Sequence, residues 1–250
     1  MINNENMQKT EKIKTELQKL KNPKQAKILS GFFKTKKGEY GEGDVFLGIK
    51  VPKTREVAKK YYKETKLGEV EELLNSKFHE ERLCALLILV QKFEDKKLNR
   101  EEKEKIQKEI FKLYLKNAER INNWDLVDLS APKIIGKYLF EHREKISVLD
   151  ELSNSDNLWK QRISILATFY FINKKEFSHT LKLAEKMLSH EHDLMHKAIG
   201  WMLREVGKRN QNAEEEFLKK HYKKMPRTML RYAIEKFSEE KRKSYLNGKI

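Results

Sequence analysis

The chain has 250 residues, with 54 Lys and Arg against 38 Asp and Glu, a net charge of +16 at pH 7. That is long enough to bury a substantial core, and the positive field makes a polyanion the natural partner, although a Lys-rich, Glu-rich solvated surface gives the same totals. Cys84 is the single cysteine and lies in the apolar run 83–90, so a disulfide framework is excluded within the chain and the thiol reads as a small buried hydrophobe. The same run is the longest apolar stretch and is too short to span a bilayer; with charge from Glu5 onward and no signal-peptide core, a soluble cytoplasmic protein is expected.

Residues 5–20 place Met7, Ile13, Leu17 and Leu20 among charges at helical spacing. Asn22-Pro23 ends that helix and starts the next, because proline suits a first turn and lacks the donor needed further in. Residues 23–34 carry Ala26, Leu29, Phe32 and Phe33 as an apolar stripe. Residues 35–49 break the pattern, with Gly38, Gly41, Gly43 and Gly48 crowded into one long loop. No strand precedes it and no Gly-Lys-Ser/Thr follows, so it is no nucleotide fingerprint; it is expected either to let backbone approach a phosphate or merely to turn.

From Pro52 the pattern returns to helices, at 52–65, 68–76, 79–95 and 100–118. Further helices are predicted at 124–140, 142–153, 157–173, 175–189, 192–208, 212–224 and 226–246, the last with a possible break. Caps support several starts: Asn123, Asp156, and Asn210 or Asn212 ahead of Glu214-Glu215-Glu216. No stretch alternates with β-branched enrichment, so no sheet is expected. Short connections imply antiparallel helix pairs. The expected fold is therefore all-α, an α-solenoid with a concave basic face, in one domain over residues 1–250: N-terminal helices plus the Gly-rich loop to residue 50, and helical repeats over 51–250.

Three blocks carry the candidate chemistry. Asn122-Asn123-Trp124-Asp125-Leu126-Val127-Asp128 puts an indole and a carboxylate four residues apart, hence on one helix face, with Asp125 a turn behind Asp128. Trp159-Lys160-Gln161-Arg162 and Lys197-Ala198-Ile199-Gly200-Trp201-Met202-Leu203-Arg204-Glu205 follow. The tryptophans at 124, 159 and 201 stand 35 and 42 residues apart, close to the period of helix-pair repeats. Each tryptophan is otherwise a core residue packed between repeats, and Trp159 keeps that reading because Ile163 and Leu166 share its face.

These blocks, in this order and after Val45-Phe46-Leu47-Gly48-Ile49 and Pro52, resemble the AlkD-like DNA alkylation repair family of HEAT-like repeat DNA glycosylases. The resemblance spans most of the chain. It implies a monofunctional glycosylase that hydrolyses the N-glycosidic bond of cationic alkylated purines, such as 3-methyladenine and 7-methylguanine, in duplex DNA and so initiates base-excision repair. It implies Asp128 as the essential carboxylate, Trp124 and Trp201 as aromatic walls beside the lesion, and Arg162, Arg204 and Lys197 as DNA contacts. Asn123 stands where some members carry a second aromatic, which bears on pocket width. No cofactor, metal or membrane is implied, and a monomer is expected.

Asp125 is read as a structural helix-start carboxylate or the partner of an arginine. His192 and His196 have zincin spacing, but Asp193 stands where the catalytic Glu would and no third ligand is evident, so no metal is expected. No hydrolase triad has a nucleophile-elbow context. The alternatives are a non-catalytic helical-repeat module that binds nucleic acid through charge, and a protein-binding scaffold.

Overall fold

The computed structural model describes residues 8–250; Met7 and the predicted helical residues 5–7 lie outside the described residues. The chain forms two compact units, one ending at Ser130 and one running from Ala131 to Ile250. The described residues are all-α: helices joined mostly by short turns, apart from the long loop over residues 33–50, with one isolated bridge between Val45 and Phe78 and no strand.

The first unit is built from α1 (Lys9–Lys19), α2 (Pro23–Phe32), α3 (Val51–Tyr61), α4 (Leu67–Leu74), α5 (His79–Phe93), α6 (Arg100–Lys116), a 3-10 turn at Ala118–Arg120, and α7 (Trp124–Ala131), which reaches the next unit. Its centre is α5, against which α3, α4 and α6 pack. Residues 83–90 are apolar all round, and a helix without a polar face is stable only when surrounded. Every residue from His79 to Val90 is accordingly buried, Cys84 at zero exposure with its thiol pushed up to about 12 by burial. That is an inert hydrophobe, as its sequence context predicts.

The second unit contains a π-helical turn at Pro132–Gly136, α8 (Lys137–Glu141), a 3-10 turn at Arg143–Lys145, α9 (Ser147–Ser153), α10 (Leu158–Asn173), α11 (Ser178–Lys186), α12 (Asp193–Gly207), α13 (Gln211–His221), α14 (Arg227–Ala233), a 3-10 turn at Ile234–Lys236 and α15 (Glu239–Leu246). Proline cannot donate within a helix, and the run predicted over 124–140 widens to a π turn at Pro132. Here α10 is the buried centre, with α9, α11 and α12 around it, and α12 packs on α13 and α14. Glycines set the closest approaches. A Cβ on Gly136 would stand 2.2 Å from the Ala167 carbonyl oxygen, and one on Gly200 would stand 2.4 Å from that of Met229.

The predicted break in the last helix falls at the 3-10 turn. One cap differs from expectation, and one of two offered is selected. Asn157, not Asp156, caps α10, its side-chain oxygen accepting from the Trp159 and Lys160 amides, because the helix starts one residue later than Asp156 requires. Asn210 rather than Asn212 caps α13, accepting from the Ala213 amide.

Candidate functional site

Helix α7 opens on Asn123, which is fully buried. Its Oδ1 accepts from the Trp124 amide at 2.8 Å and its Nδ2 donates to Asp44 Oδ2 at 2.9 Å, so the residue before the tryptophan is a structural anchor. The Trp124 indole is half-buried. It stacks on Phe33, ring centroids 5.1 Å apart at 21°, and Phe33 stacks in the same way on Phe46. Phe32 meets the indole edge-on at 5.9 Å. An aromatic column thus backs one indole face. One turn further along α7, Asp128 is also half-buried. Behind it Tyr114 is fully buried and shares a 2.8 Å hydrogen bond with Ser130; burial raises its phenol, and the charge of Asp128 adds to that.

Asp125 belongs to a separate arrangement beneath this face. Its Oδ2 accepts from His79 Nε2 at 2.9 Å and its Oδ1 from the Leu126 amide at 2.9 Å, so of the two readings the sequence offered it has the helix-start contact, with a histidine where the other reading had an arginine. On its other side the His79 ring donates from Nδ1 to Asp44 Oδ2 at 3.1 Å, and Asp44 also pairs with Arg82. His79, Arg82 and Asp44 are 2%, 2% and 7% exposed. Burial alone would lower the imidazole, but the carboxylates of Asp125 and Asp44 outweigh it and hold the ring protonated, up to about 9. For Asp44, burial pushes the carboxyl up, while His79, Arg82 and Asn123 pull it net below the ordinary carboxylate range. Two anions and two cations cancel, which is the condition under which such charges are tolerated in a core.

The glycine-rich loop is held by the same helix start. Glu80, 1% exposed, accepts from the amides of Leu47 and Gly48 at 2.8 Å each and of Ile49 at 3.1 Å. Three convergent backbone donors are an anion site, and the anion is this chain's own carboxylate. The amides at 47–49 are therefore engaged, and the loop's role there is to clamp. Gly48 makes the turn possible: its φ is +86°, and a Cβ there would stand 2.1 Å from the Asn22 carbonyl oxygen.

The other sequence-predicted residues lie in the second unit. Arg162 is 4% exposed and donates from Nη1 to the Leu194 carbonyl at 2.7 Å, a buried placement rather than the surface one weighed as its alternative. Lys197 Nζ pairs with Asp193 at 2.6 Å, and Arg204 pairs with Glu235. Trp201 is half-buried and donates from Nε1 to Glu205 Oε1 at 3.2 Å, with Phe169 beside it at 5.9 Å. Burial raises Glu205, but Lys208, Arg209 and the indole hold it net below the usual range. Trp159 is 7% exposed, the core placement its neighbours predict. His192 Nδ1 accepts from the Leu194 amide and His196 Nε2 bonds the His190 carbonyl, so both rings engage backbone.

Sequence reasoning missed the Asp44, His79, Glu80 and Arg82 cluster. The available signal was His79-Glu80-Glu81-Arg82, four polar residues immediately ahead of an apolar run whose helix has no solvent side, paired with the acidic residue of the Gly43-Asp44-Val45 turn.

An all-α chain of this architecture matches a known fold. A solved structure described as a predicted DNA alkylation repair enzyme from Enterococcus faecalis is similar with a TM-score of 0.67 and 21% identity, over 88% of this chain and 97% of that one. The family model for the DNA alkylation repair enzyme matches residues 13–237, and the chain belongs to that family. No curated protein matches it. No helix among the described residues is long and apolar enough to cross a membrane.

Proposed function

We propose that this protein is a DNA glycosylase that releases cationic alkylated purines, such as 3-methyladenine and 7-methylguanine, from duplex DNA. The observation that supports it best is on α7: an indole with a backed face and, four residues on, a half-buried carboxylate, on a helix whose start is fixed by buried charge. Alkylation at N3 or N7 leaves the purine positively charged, so the base departs neutral and needs no proton from the protein. The deoxyribose carries the growing charge through an oxocarbenium-like transition state, as in other glycoside cleavages. Asp128 stabilises that charge, and such a preorganised group contributes about 3 to 4 kcal/mol, or 10² to 10³ in rate.

Trp124, and Trp201 by family resemblance, offer π faces to the cationic base and sugar, worth roughly 0.5 to 2 kcal/mol each. Arg162, Lys197 and Arg204 are assigned to DNA contact on the same resemblance. A phosphate would have to compete with Asp193 for Lys197 and with Glu235 for Arg204.

Asp128→Asn is expected to lower single-turnover release of 7-methylguanine by at least about 10² with duplex affinity nearly unchanged. Equal release by variant and parent would remove the catalytic assignment. DNA retention without release by the parent chain would leave the non-catalytic nucleic-acid-binding reading in its place.

A further inference from the structure

At the end of α5 remote from His79, the first unit has a cavity of about 460 Å³ between the ends of α3 and α5 and one side of α6. His79 and Lys92 stand thirteen residues apart on α5, a rise of about 20 Å, so this cavity is no part of the α7 site. Its apolar wall is Tyr62, Leu98 and Ile106, all half-buried. Lys92 is half-buried in the same lining. Its Nζ donates to the Lys63 carbonyl at a long 3.4 Å and makes no ion pair among the described residues. Burial lowers this ammonium from the ordinary lysine range, and the charges of Asp95 and Glu69 raise it without offsetting that. Nearby carboxylates are engaged elsewhere. Asp95 accepts from the Lys97 amide at 2.9 Å and Glu102 from the Asn99 amide at 3.0 Å, while Glu64 pairs with Lys9. Glu109 lines the cavity too, but it is not among the charges that act on Lys92.

We propose that this cavity is a binding site for a small organic acid with an apolar body: the carboxylate takes the Lys92 ammonium, and the body lies against Tyr62, Leu98 and Ile106. The inference stands apart from the glycosylase reading and uses none of its residues. A cation partly withdrawn from water and given no counter-ion is under-compensated, so a ligand carboxylate gains more there than at an exposed lysine. The bond formed is charge-assisted and fixes the ligand's orientation. The volume lies within the range of about 300 to 1,000 Å³ in which ligand sites fall, where apolar walls supply most of the contact and a few polar groups supply specificity. Charge also selects against a polyanion. Glu102 and Glu109 share the lining with Lys63 and Lys105, so a second or third negative group would meet a carboxylate, whereas a single one at Lys92 does not.

The test titrates the full chain with 2-naphthoate, and with 2-naphthylmethanol as a probe of the same body without the charge, both read by calorimetry. The parent is expected to bind the acid at least about tenfold more tightly than the alcohol. Lys92→Met keeps the aliphatic stem and removes the charge. It is expected to weaken the acid about tenfold and leave the alcohol within about twofold, which abolishes the preference. Ile106→Ala should weaken both probes by about fivefold. Removing an uncompensated, half-buried cation should not lower the melting temperature, so a stable Lys92→Met variant separates lost binding from lost folding. Release of 7-methylguanine by Lys92→Met should equal the parent's, and the glycosylase reading survives or falls on other evidence. No saturable binding of the acid, equal affinity of the parent for acid and alcohol, or an acid affinity that Lys92→Met leaves unchanged would each overturn the site. Displacement of the bound acid by an equimolar undamaged duplex would overturn it as well, by placing the probe on a nucleic-acid surface.

Discussion

In the unit that ends at Ser130, Asp44, His79, Arg82 and Asp125 are drawn together in the interior, while the exposed lysines between Leu17 and Gly38 have no ion-pair partner among the described residues. In the unit from Ala131 onward the basic residues named by family resemblance are each engaged locally: Lys197 by Asp193, Arg204 by Glu235, Arg162 by the Leu194 carbonyl. The difference is instructive about what charge is for. In the interior of the first unit it fixes geometry, because a buried ion without its counter-ion is too costly to survive rearrangement. On that unit's surface it is compensated in places, as at Lys14–Glu72 and Lys60–Glu16, and is left without a counter-ion among the described residues along the stretch between Leu17 and Gly38. The two tryptophans follow the same division. Trp124 is placed by stacking on Phe33 above the buried network, and Trp201 by a hydrogen bond to Glu205, itself gripped by Lys208 and Arg209.

The largest effect that would test this contrast comes from removing the centre of the network. Asp44→Ala leaves His79 and Arg82 buried beside the single remaining carboxylate of Asp125 and takes away the acceptor of Asn123, so stability should fall by about 3 to 5 kcal/mol. Lys197→Ala, which breaks a half-exposed pair in the other unit, should cost no more than about 0.5 kcal/mol. Urea denaturation of the two variants makes the comparison directly. Similar losses would mean that the buried cluster is no more than a surface ion pair in effect.

Next in size is the pH dependence of the same cluster. The folded imidazole of His79 titrates at about 9 against 6.5 in an unfolded chain, so the folded state binds its proton more tightly. The resulting stability is fully present below pH 6.5 and is lost as pH rises through about 9, a contribution on the order of 3 kcal/mol. Urea midpoints measured from pH 6 to 9.5 should decline across that window for the parent chain. His79→Gln should start lower and lose less. A parent profile flat to pH 9.5 would show that the ring is neutral in the fold.

How far the sequence disclosed this arrangement depended on what kind of signal each part left. Helical periodicity and caps placed the helices to within a few residues, since apolar spacing and turn chemistry are local. Trp124 and Asp128 could be paired because four residues is a helix turn. The Gly38 to Gly48 loop was legible as a break but not as a clamp. Its acceptor, Glu80, lies more than thirty residues away, and nothing local says that three amides will converge on it. Asp44 and His79 were invisible for the same reason, joined by folding over 35 positions. Arg162 shows the opposite limit: the residue was singled out, but its burial follows from α10 being surrounded, which periodicity alone does not reveal.

The contrast between the units has one exception, and it supplies the smallest of these effects. Glu214 in the second unit is 2% exposed, its Oε1 has no hydrogen-bond partner, and its other oxygen packs where a side chain on Gly207 would stand. Burial, with Glu215 adding to it, pushes the carboxyl up to about 8, so at neutral pH the fold holds it as an uncharged acid. The sign is opposite to that of a paired carboxylate. An unfolded chain ionises this group from about pH 4.5 while the fold cannot, so stability falls between pH 4.5 and about 8 and is level above that. Glutamine reproduces the neutral shape without the proton to lose. Glu214→Gln should therefore raise stability at pH 8 by about 1 kcal/mol or more and leave it nearly unchanged at pH 4.5. A loss at pH 8 would mean that the carboxylate is ionised in the fold, with Arg204 and Lys241 as its compensating charges, and the second unit would then bury charge by the same rule as the first.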